Sequence, residues 1–228
     1  MKGKILKRAF IDTLPVLSGY MVLGIGFGIV LERNGYGVMW AFLMSLLIYA
    51  GSMQYAGIEL LAGAASLPAV ALTTLMVNAR HLFYGISMID KYKGAGAKKP
   101  YMIFALTDET YSLVCYTKYE TEKERHFYSF WVSLFDQCYW VTGSVLGSVI
   151  GSALPFDTAG IEFSMTALFV TVFVEQWIST KNHISAVCGL LASVVCLAIF
   201  GKDSFLIPSM IAILVILTLI RKKVACDE

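Results

Sequence analysis

Charged side chains are scarce in this sequence. Asp, Glu, Lys and Arg make up 15% of the 228 residues, hydrophobic residues make up 57%, and the mean hydropathy is +0.70. The stretch from Leu60 to Ala79 contains no charged residue at all. This composition is too apolar for a water-soluble domain of this length. It predicts an all-α polytopic membrane protein whose surface contacts a lipid bilayer.

The sequence also lacks the features of nucleic-acid-binding proteins and of enzymes. The net charge is only +2, and the aromatic residues lie in apolar runs rather than among basic clusters. The five cysteines show no CxxC or Cys/His ligand spacing and no HExxH occurs, so we predict neither a metal nor another cofactor. An intramembrane enzyme would have to combine His81 and Asp108 with a serine such as Ser87 or Ser112, and no nucleophile motif surrounds them. We therefore expect no nucleic-acid partner and no enzymatic activity.

About eight hydrophobic segments are present, each near the length of roughly 20 residues that crosses a bilayer as a helix. They lie near residues 13 to 31, 38 to 61, 66 to 89, 100 to 117, 127 to 153, 161 to 180, 183 to 200 and 204 to 220. The charged run "KYETEKERH" between the fourth and fifth segments is predicted to be a solvated loop. We expect a single permease domain over 1–228, with halves at 1–117 and 127–228. The spacing of Asp12 and Gly19, repeated by Asp136 and Gly143, hints at an internal duplication of these halves.

Basic residues near the segment ends leave two topologies open. "KGKILKR" at the start and "IRKK" near the end place both termini in the cytoplasm, which requires an even number of crossings. Eight full crossings would put the lysines of residues 91 to 99 outside, against this bias. A six-crossing alternative puts them inside, with broken or re-entrant pieces within 38 to 89 and 161 to 200. The small residues of "AGSMQYAG" at 50 to 57 offer such a break.

Two segments carry glycines at helical spacing. Gly24 and Gly28 are four residues apart, as are Gly143, Gly147 and Gly151, and serines extend the second set. Small residues let helix backbones approach closely in lipid, where apolar side chains supply little drive for association. We therefore predict close packing of these segments, either within the chain or against a partner subunit. A phosphate-binding glycine loop is excluded because it needs a strand and a turn.

Polar residues interrupt the third and fourth segments. The third contains Asn78, Arg80, His81 and Tyr84, and the fourth contains "LTDET" with Asp108 and Glu109. Ionisable groups are costly in a bilayer, so they should face protein or water and have partners. One interpretation is a structural ion pair between Arg80 and a carboxylate of the fourth segment. The alternative is a binding site.

At these positions the sequence resembles the AzlC family, the large subunit of bacterial branched-chain amino acid exporters. The resemblance covers most of the chain and rests on "YAGSMQY", "NARHLFYG", "LTDETYS" and "GIEFSMTALFV". The family pattern N-x-R-H-x-x-Y-G falls on Asn78 to Gly85, L-T-D-E on Leu106 to Glu109, and G-[LI]-[DE]-F on Gly160 to Phe163. It implies a multi-pass permease of the bacterial inner membrane that exports leucine, isoleucine or valine with a small hydrophobic AzlD-type subunit. Proton coupling is expected by analogy. Glu175 departs from the family's pattern, and its role stays open.

An exporter of zwitterions would need separate groups for the substrate's carboxylate and ammonium. Guanidinium suits the carboxylate because its planar fork donates two hydrogen bonds. The predicted substrate-binding residues are Arg80, Asn78, Gln54, Tyr84, Asp108 and Glu109. His81 is the candidate for proton coupling, since histidine titrates near neutral pH. Transport of another small organic solute, or a membrane scaffold that transports nothing, are the alternative functions.

Overall fold

The protein is described by a computed structural model that covers residues 2–117, 119, 121–153, 170, 173–174, 177–178, 183–201 and 205–224. Within these ranges the side chain of Arg80 is not described. The chain forms two compact units, Met1–Met165 and Thr166–Glu228. Described residues form helices and contain no β-strand, as predicted for an all-α protein. The predicted segment at 161 to 180, the motif at 160 to 163 and Glu175 fall almost wholly outside the described residues.

The described part of the first unit consists of nine α-helices and one short 3₁₀ helix at Gly96–Lys98. The α-helices are α1 (Lys2–Asp12), α2 (Leu14–Arg33), α3 (Val38–Leu47), α4 (Gly51–Ala62), α5 (Leu67–Val77), α6 (Ala79–Met88), α7 (Lys99–Phe104), α8 (Asp108–Tyr116) and α9 (Glu122–Ala153). In the second unit, α10 (Ile184–Phe200) and α11 (Leu206–Val224) pack against each other. Among the described helices, α2 alone combines the length and hydropathy of a complete membrane span.

Three of the predicted continuous segments are each divided into two helices. The first division, between α3 and α4, comes directly before Gly51, where Tyr49 has φ +45° and Ala50 leaves the helical region. This confirms the predicted break near "AGSMQYAG". The second lies at Asn78, between α5 and α6. The third lies between α7 and α8, where Thr107 is extended and accepts the Thr110 N–H as an N-cap. The number of full crossings stays a prediction.

The sequence analysis predicted a loop for the charged run before α9, and this prediction is wrong for the second half of the run. Helix α9 begins at Glu122, so the second half of "KYETEKERH" is helical. The Thr121 hydroxyl accepts a 3.3 Å hydrogen bond from the Glu124 N–H, and the spacing Thr-x-x-Glu is that of a capping box. The acidic side chains of the first turn also interact favourably with the helix dipole. These local signals outweigh the polarity of the run.

Helices α2 and α9 pack together through their glycine faces, as predicted, and within this chain. A Cβ on Gly28 would lie 2.5 Å from the Ser148 backbone nitrogen, and one on Gly24 would lie 3.0 Å from that of Ser144. A Cβ on Gly147 would overlap the backbone of Ile25. Only glycine permits this approach of two helix backbones. The long α9 is therefore fixed beside α2, and its polar residues face the remaining helices.

Candidate functional site

Asp136 on α9 lies at the centre of a set of hydrogen-bonded polar residues in the first unit. We call this set the polar cluster, and it consists of Tyr20, Ser45, Gln54, Thr107, Glu109, Thr110, Asp136 and Trp140. Its side chain is 0% exposed, and its Oδ2 accepts a 2.7 Å hydrogen bond from the Thr110 hydroxyl of α8. Its Oδ1 is buried and has no hydrogen-bond partner among the described residues. Buried carboxylates are usually paired with cations or several donors. Asp136 has a single donor, which makes it an unusual group in the protein interior.

A second carboxyl group, that of Glu109 on α8, is bound to α2. The Tyr20 phenol donates a 2.6 Å hydrogen bond to Glu109 Oε2 and lies 2.7 Å from the Thr107 hydroxyl. The Thr107 hydroxyl is also 3.2 Å from that of Thr110, the residue that binds Asp136. The two carboxyl groups are therefore connected through three hydroxyl groups. We call Tyr20, Thr107 and Thr110 the hydroxyl chain.

A buried amide adjoins this arrangement. Gln54 on α4 is 0% exposed, accepts a 2.9 Å hydrogen bond from the Trp140 indole and donates one of 3.2 Å to the Ser45 hydroxyl. The Trp140 ring contacts the Tyr20 ring edge-on, with centroids 5.5 Å apart. Gln54 is thus connected through Trp140 to the hydroxyl chain. Its carbonyl and amide hydrogens both hold α4 in place.

Gln137 of α9 forms hydrogen bonds with both α3 and α7, the helices that precede two of the breaks. The Gln137 amide donates a 3.0 Å hydrogen bond to the Leu46 carbonyl near the end of α3, and its side-chain oxygen accepts a 2.7 Å bond from the Tyr101 phenol of α7. The last carbonyls of a helix lack partners within the helix, so Gln137 supplies one where α3 ends. Gln137 follows Asp136 directly, and both breaks are consequently fixed near the buried carboxyl.

The breaks after α3 and α7 also contact each other. The Tyr49 ring packs on Phe104 with centroids 6.3 Å apart, and the Tyr49 phenol interacts electrostatically with Asp136 and Glu109. Non-helical backbone at membrane depth is tolerated where it is buried in protein or lines a cavity, and such breaks form the binding sites of many transporters. The arrangement offers carboxyl, amide and hydroxyl groups. These can bind an ammonium group or a proton, and no group of three or more metal-ligating side chains occurs among the described residues.

Comparison with known proteins gives the family. A family model described as AzlC protein matches residues 15–154. A Bacillus subtilis relative, named Branched-chain amino acid transport protein AzlC, is 44% identical over 95% of this chain and 85% of its own length. A Helicobacter pylori relative named Uncharacterized membrane protein is 43% identical over 98% of each chain. The Inner membrane protein YgaZ of Escherichia coli is 28% identical over 86% of this chain and 81% of its own.

The chain belongs to the AzlC family. The resemblance seen in the sequence is thereby confirmed, and the protein is a membrane protein like the relatives whose names say so. No solved structure matches this chain. The matched range 15–154 contains every member of the polar cluster.

The structure brings together some of the site residues that the sequence predicted. Glu109 and Gln54 belong to the same cluster, although their bonds are to Tyr20, Ser45 and Trp140 rather than to each other. Asp108 is the first residue of α8 and lies beside Glu109, half-buried. In this chain's L-T-D-E motif, Thr107 therefore caps α8 and Glu109 binds Tyr20 of α2.

The other predicted residues lie around the break between α5 and α6. Asn78 ends α5, and its carbonyl is 3.3 Å from His81 Nδ1. The Tyr84 ring stacks on Tyr111 of α8, with centroids 4.7 Å apart, which joins α6 to the helix of Glu109. Among the described contacts, neither Asn78 nor His81 touches Gln54 or Glu109. The predicted pairing of Arg80 with a carboxylate concerns a side chain outside the description and stays a prediction.

Sequence reasoning missed Asp136, Tyr20 and Trp140 as members of the site. The signal for Asp136 was available: it is a lone acid among apolar residues in the segment 127 to 153, and the argument applied to Arg80 applies equally to it. The spacing of Asp136 from Gly143 was interpreted only as a sign of internal duplication. Tyr20 and Trp140 carry no comparable signal, because aromatic residues in apolar segments are common packing residues.

Proposed function

We propose that this chain is a permease of the bacterial inner membrane that exports leucine, isoleucine or valine. The observation that carries the proposal is the 44% identity, over 95% of this chain, to the Bacillus subtilis protein named Branched-chain amino acid transport protein AzlC. The resemblance to the family supplies three further parts of the proposal. These are the outward direction, coupling to protons, and a small hydrophobic AzlD-type subunit as the partner. Both termini lie in the cytoplasm.

The polar cluster supports a transport function. A zwitterion leaving water needs separate partners for its two charges, and buried side chains beside interrupted helices can supply them. In this proposal Arg80 binds the substrate carboxylate, and Asp108 or Glu109 binds the ammonium. Gln54, Asn78 and Tyr84 are the remaining predicted binding residues. Gln54 acts mainly by positioning α4, since its amide already binds Ser45 and Trp140.

Everted membrane vesicles test the proposal directly, because export from the cell becomes uptake into the vesicle. Vesicles containing the chain with its small partner are acidified inside and supplied with labelled leucine. We expect accumulation that requires the pH gradient and that unlabelled isoleucine and valine reduce. Vesicles with the partner alone are the control.

Two results would contradict the proposal, and each would indicate a different function. Gradient-driven uptake of a different solute, with none of leucine, would indicate a permease of another specificity. The absence of uptake for every amino acid tested, from vesicles that contain folded protein, would indicate a scaffold.

A further inference from the structure

The contacts between Glu109 and Asp136 require one more hydrogen than the hydroxyl chain contains. Four contacts join the five groups in the order Glu109, Tyr20, Thr107, Thr110 and Asp136. The three hydroxyl groups carry one hydrogen each, and a hydrogen bond needs one hydrogen. If both carboxyl groups are ionised, one of the four contacts brings two oxygen atoms together without a hydrogen. A single added proton on either carboxyl group satisfies all four contacts.

We propose that Glu109 and Asp136 share one proton through the hydroxyl chain, and that this pair is a proton-binding site of the transporter separate from the candidate His81. The two positions of the proton are equivalent in hydrogen bonding. With the proton on Glu109, every hydroxyl donates towards Asp136. With the proton on Asp136, every hydroxyl donates towards Glu109. The inference deepens the proposed function and rests on it for the use to which the proton is put.

The surroundings of Asp136 favour a bound proton independently of the hydrogen count. Asp136 Oδ1 is buried and has no hydrogen-bond partner among the residues that the structure describes, and the same holds for the Ser133 hydroxyl one turn earlier on the same face of α9. An ionised carboxylate with an unsolvated oxygen costs several kcal/mol in an apolar interior. A proton removes that charge. Binding of a proton therefore stabilises Asp136 in its buried position.

Among the side chains that the structure describes, no cation pairs with Asp136. The titratable groups that interact with Asp136 all become more negative on losing a proton, and they come from several elements of the first unit: Glu109 of α8, Tyr49 between α3 and α4, Tyr101 of α7 and Tyr139 of α9. The ion pairs of Arg8 with Asp12 and of Arg125 with Glu122 do not include Asp136. Within the described part of the chain, a proton is thus the positive charge available to Asp136.

Proton transfer along the chain balances without water. Glu109 Oε2 gives its hydrogen to the Tyr20 oxygen, Tyr20 gives its own to Thr107, Thr107 to Thr110, and Thr110 to Asp136 Oδ2. One O–H bond breaks and one forms at each hydroxyl, so the hydroxyl groups are unchanged and one proton has moved. Glu109 is half-buried whereas Asp136 is 0% exposed. Glu109 is therefore the more accessible end of the hydroxyl chain, and Asp136 is the inner end.

Infrared spectroscopy of the purified full chain with its partner tests the inference without requiring transport. The wild-type protein should show the carbonyl band of a protonated carboxylic acid at neutral pH. Asp136→Asn should lose that band, because the amide N–H supplies the fourth hydrogen permanently. Glu109→Gln supplies it from the opposite end and should lose the same band, which keeps the test valid if one variant does not fold. Persistence of the band in both variants, or its absence from the wild-type protein, would overturn the proposal.

A transport measurement then tests the use of the proton. Tyr20→Phe interrupts the chain and should abolish accumulation of leucine driven by an acidic vesicle interior. The matched control is Tyr55→Phe, which also removes a buried phenol but one bound to the Leu23 carbonyl, outside the hydroxyl chain. Equal accumulation in the two variants would refute the relay. If wild-type vesicles accumulate no leucine while the infrared band behaves as expected, the export proposal fails and the shared proton stands.

Discussion

The indole nitrogen of Trp140 lies 2.9 Å from the side-chain oxygen of Gln54, and this hydrogen bond joins α9 to the first turn of α4. Both side chains are buried, at 4% and 0% exposure. Gly51, at the start of α4, lies against the same indole ring, where a Cβ would come within 3.0 Å of Cη2. Trp140 of α9 thus helps to position α4 after its break, through both a hydrogen bond and ring packing.

A double-mutant cycle should detect this dependence. Gln54→Leu leaves the Trp140 N–H and the Ser45 hydroxyl buried without their partner, which should cost about 1–3 kcal/mol of unfolding free energy for each stranded group. Trp140→Phe strands the Gln54 oxygen in turn. The double variant lacks both the Trp140 N–H and the Gln54 oxygen, so neither is left buried without its partner. Its loss of unfolding free energy should therefore be smaller than the sum of the losses in the two single variants. Denaturant titration in detergent provides the measurement, and strictly additive losses would show that the bond contributes nothing.

Substitution of Gly147 should destabilise the protein even when the new side chain is a single methyl group. Gly147→Ala places a Cβ against the Ile25 backbone, and overpacking of this kind costs about 1–3 kcal/mol. Gly147→Leu should prevent folding. Gly19→Ala on α2 is the matched control, since nothing lies within 4 Å of its Cβ position, and Leu146→Ile on the exposed face should also be mild. Thermal unfolding in detergent compares them, and similar midpoints for Gly147→Ala and Gly19→Ala would contradict the packing described.

Labelling of the lysine-rich loop decides between the two topologies. The side chain of Lys93 is exposed, whereas the ammonium of Lys98 lies 5.0 Å from the centroid of the Phe130 ring, so Lys93→Cys in a cysteine-free background is the less disruptive probe. An impermeant maleimide is applied to intact cells. Reaction in intact cells supports eight full crossings. Protection until lysis supports six, which is also the outcome that the lysine distribution favours.

Arg80→Lys should lower leucine export steeply while leaving folding and partner binding intact. Lysine keeps the positive charge but loses the planar fork that binds a carboxylate through two hydrogen bonds. Export is measured as uptake into everted vesicles, and folding by co-purification with the partner.

The double variant Arg80→Leu with Asp108→Asn separates the two roles proposed for Arg80. A structural ion pair predicts recovery of both stability and export, because removing both charges leaves none stranded. A substrate site predicts recovery of stability alone. Export at the wild-type level in the double variant would show that Arg80 does not bind the substrate.

Local sequence patterns predicted the parts of this structure that depend on neighbouring residues. The spacing of Gly143 and Gly147 was sufficient for the α2 contact, since small residues four apart share a helix face. The start of α9 could also have been predicted from Thr121 and Glu124, had the capping box been given more weight than the charge of the run. The break before Gly51 was visible because several small residues cluster there.

The polar cluster could not be predicted in the same way, because it is assembled from residues far apart in the chain. Thr110 and Asp136 are separated by 26 positions, and Tyr20 and Glu109 by 89. No pattern within a segment shows that Thr107 caps α8 and also contacts Tyr20 of α2. Such contacts depend on how the helices pack. Sequence reasoning therefore located the acids of the L-T-D-E motif but not their partners.

The contact between α2 and α9 has a mechanical consequence for a transport cycle. Where backbone lies against backbone, no side chain can change rotamer to absorb a displacement, so neither helix can slide or turn against the other without a clash. In a transport cycle, α2 and α9 would then form the stationary part of the protein. The interrupted helices beside it can swing through changes in a few backbone dihedrals at their breaks, which is how hinge motions arise. Opening to one side of the membrane and then to the other would accordingly move α3 to α8 around a fixed Asp136.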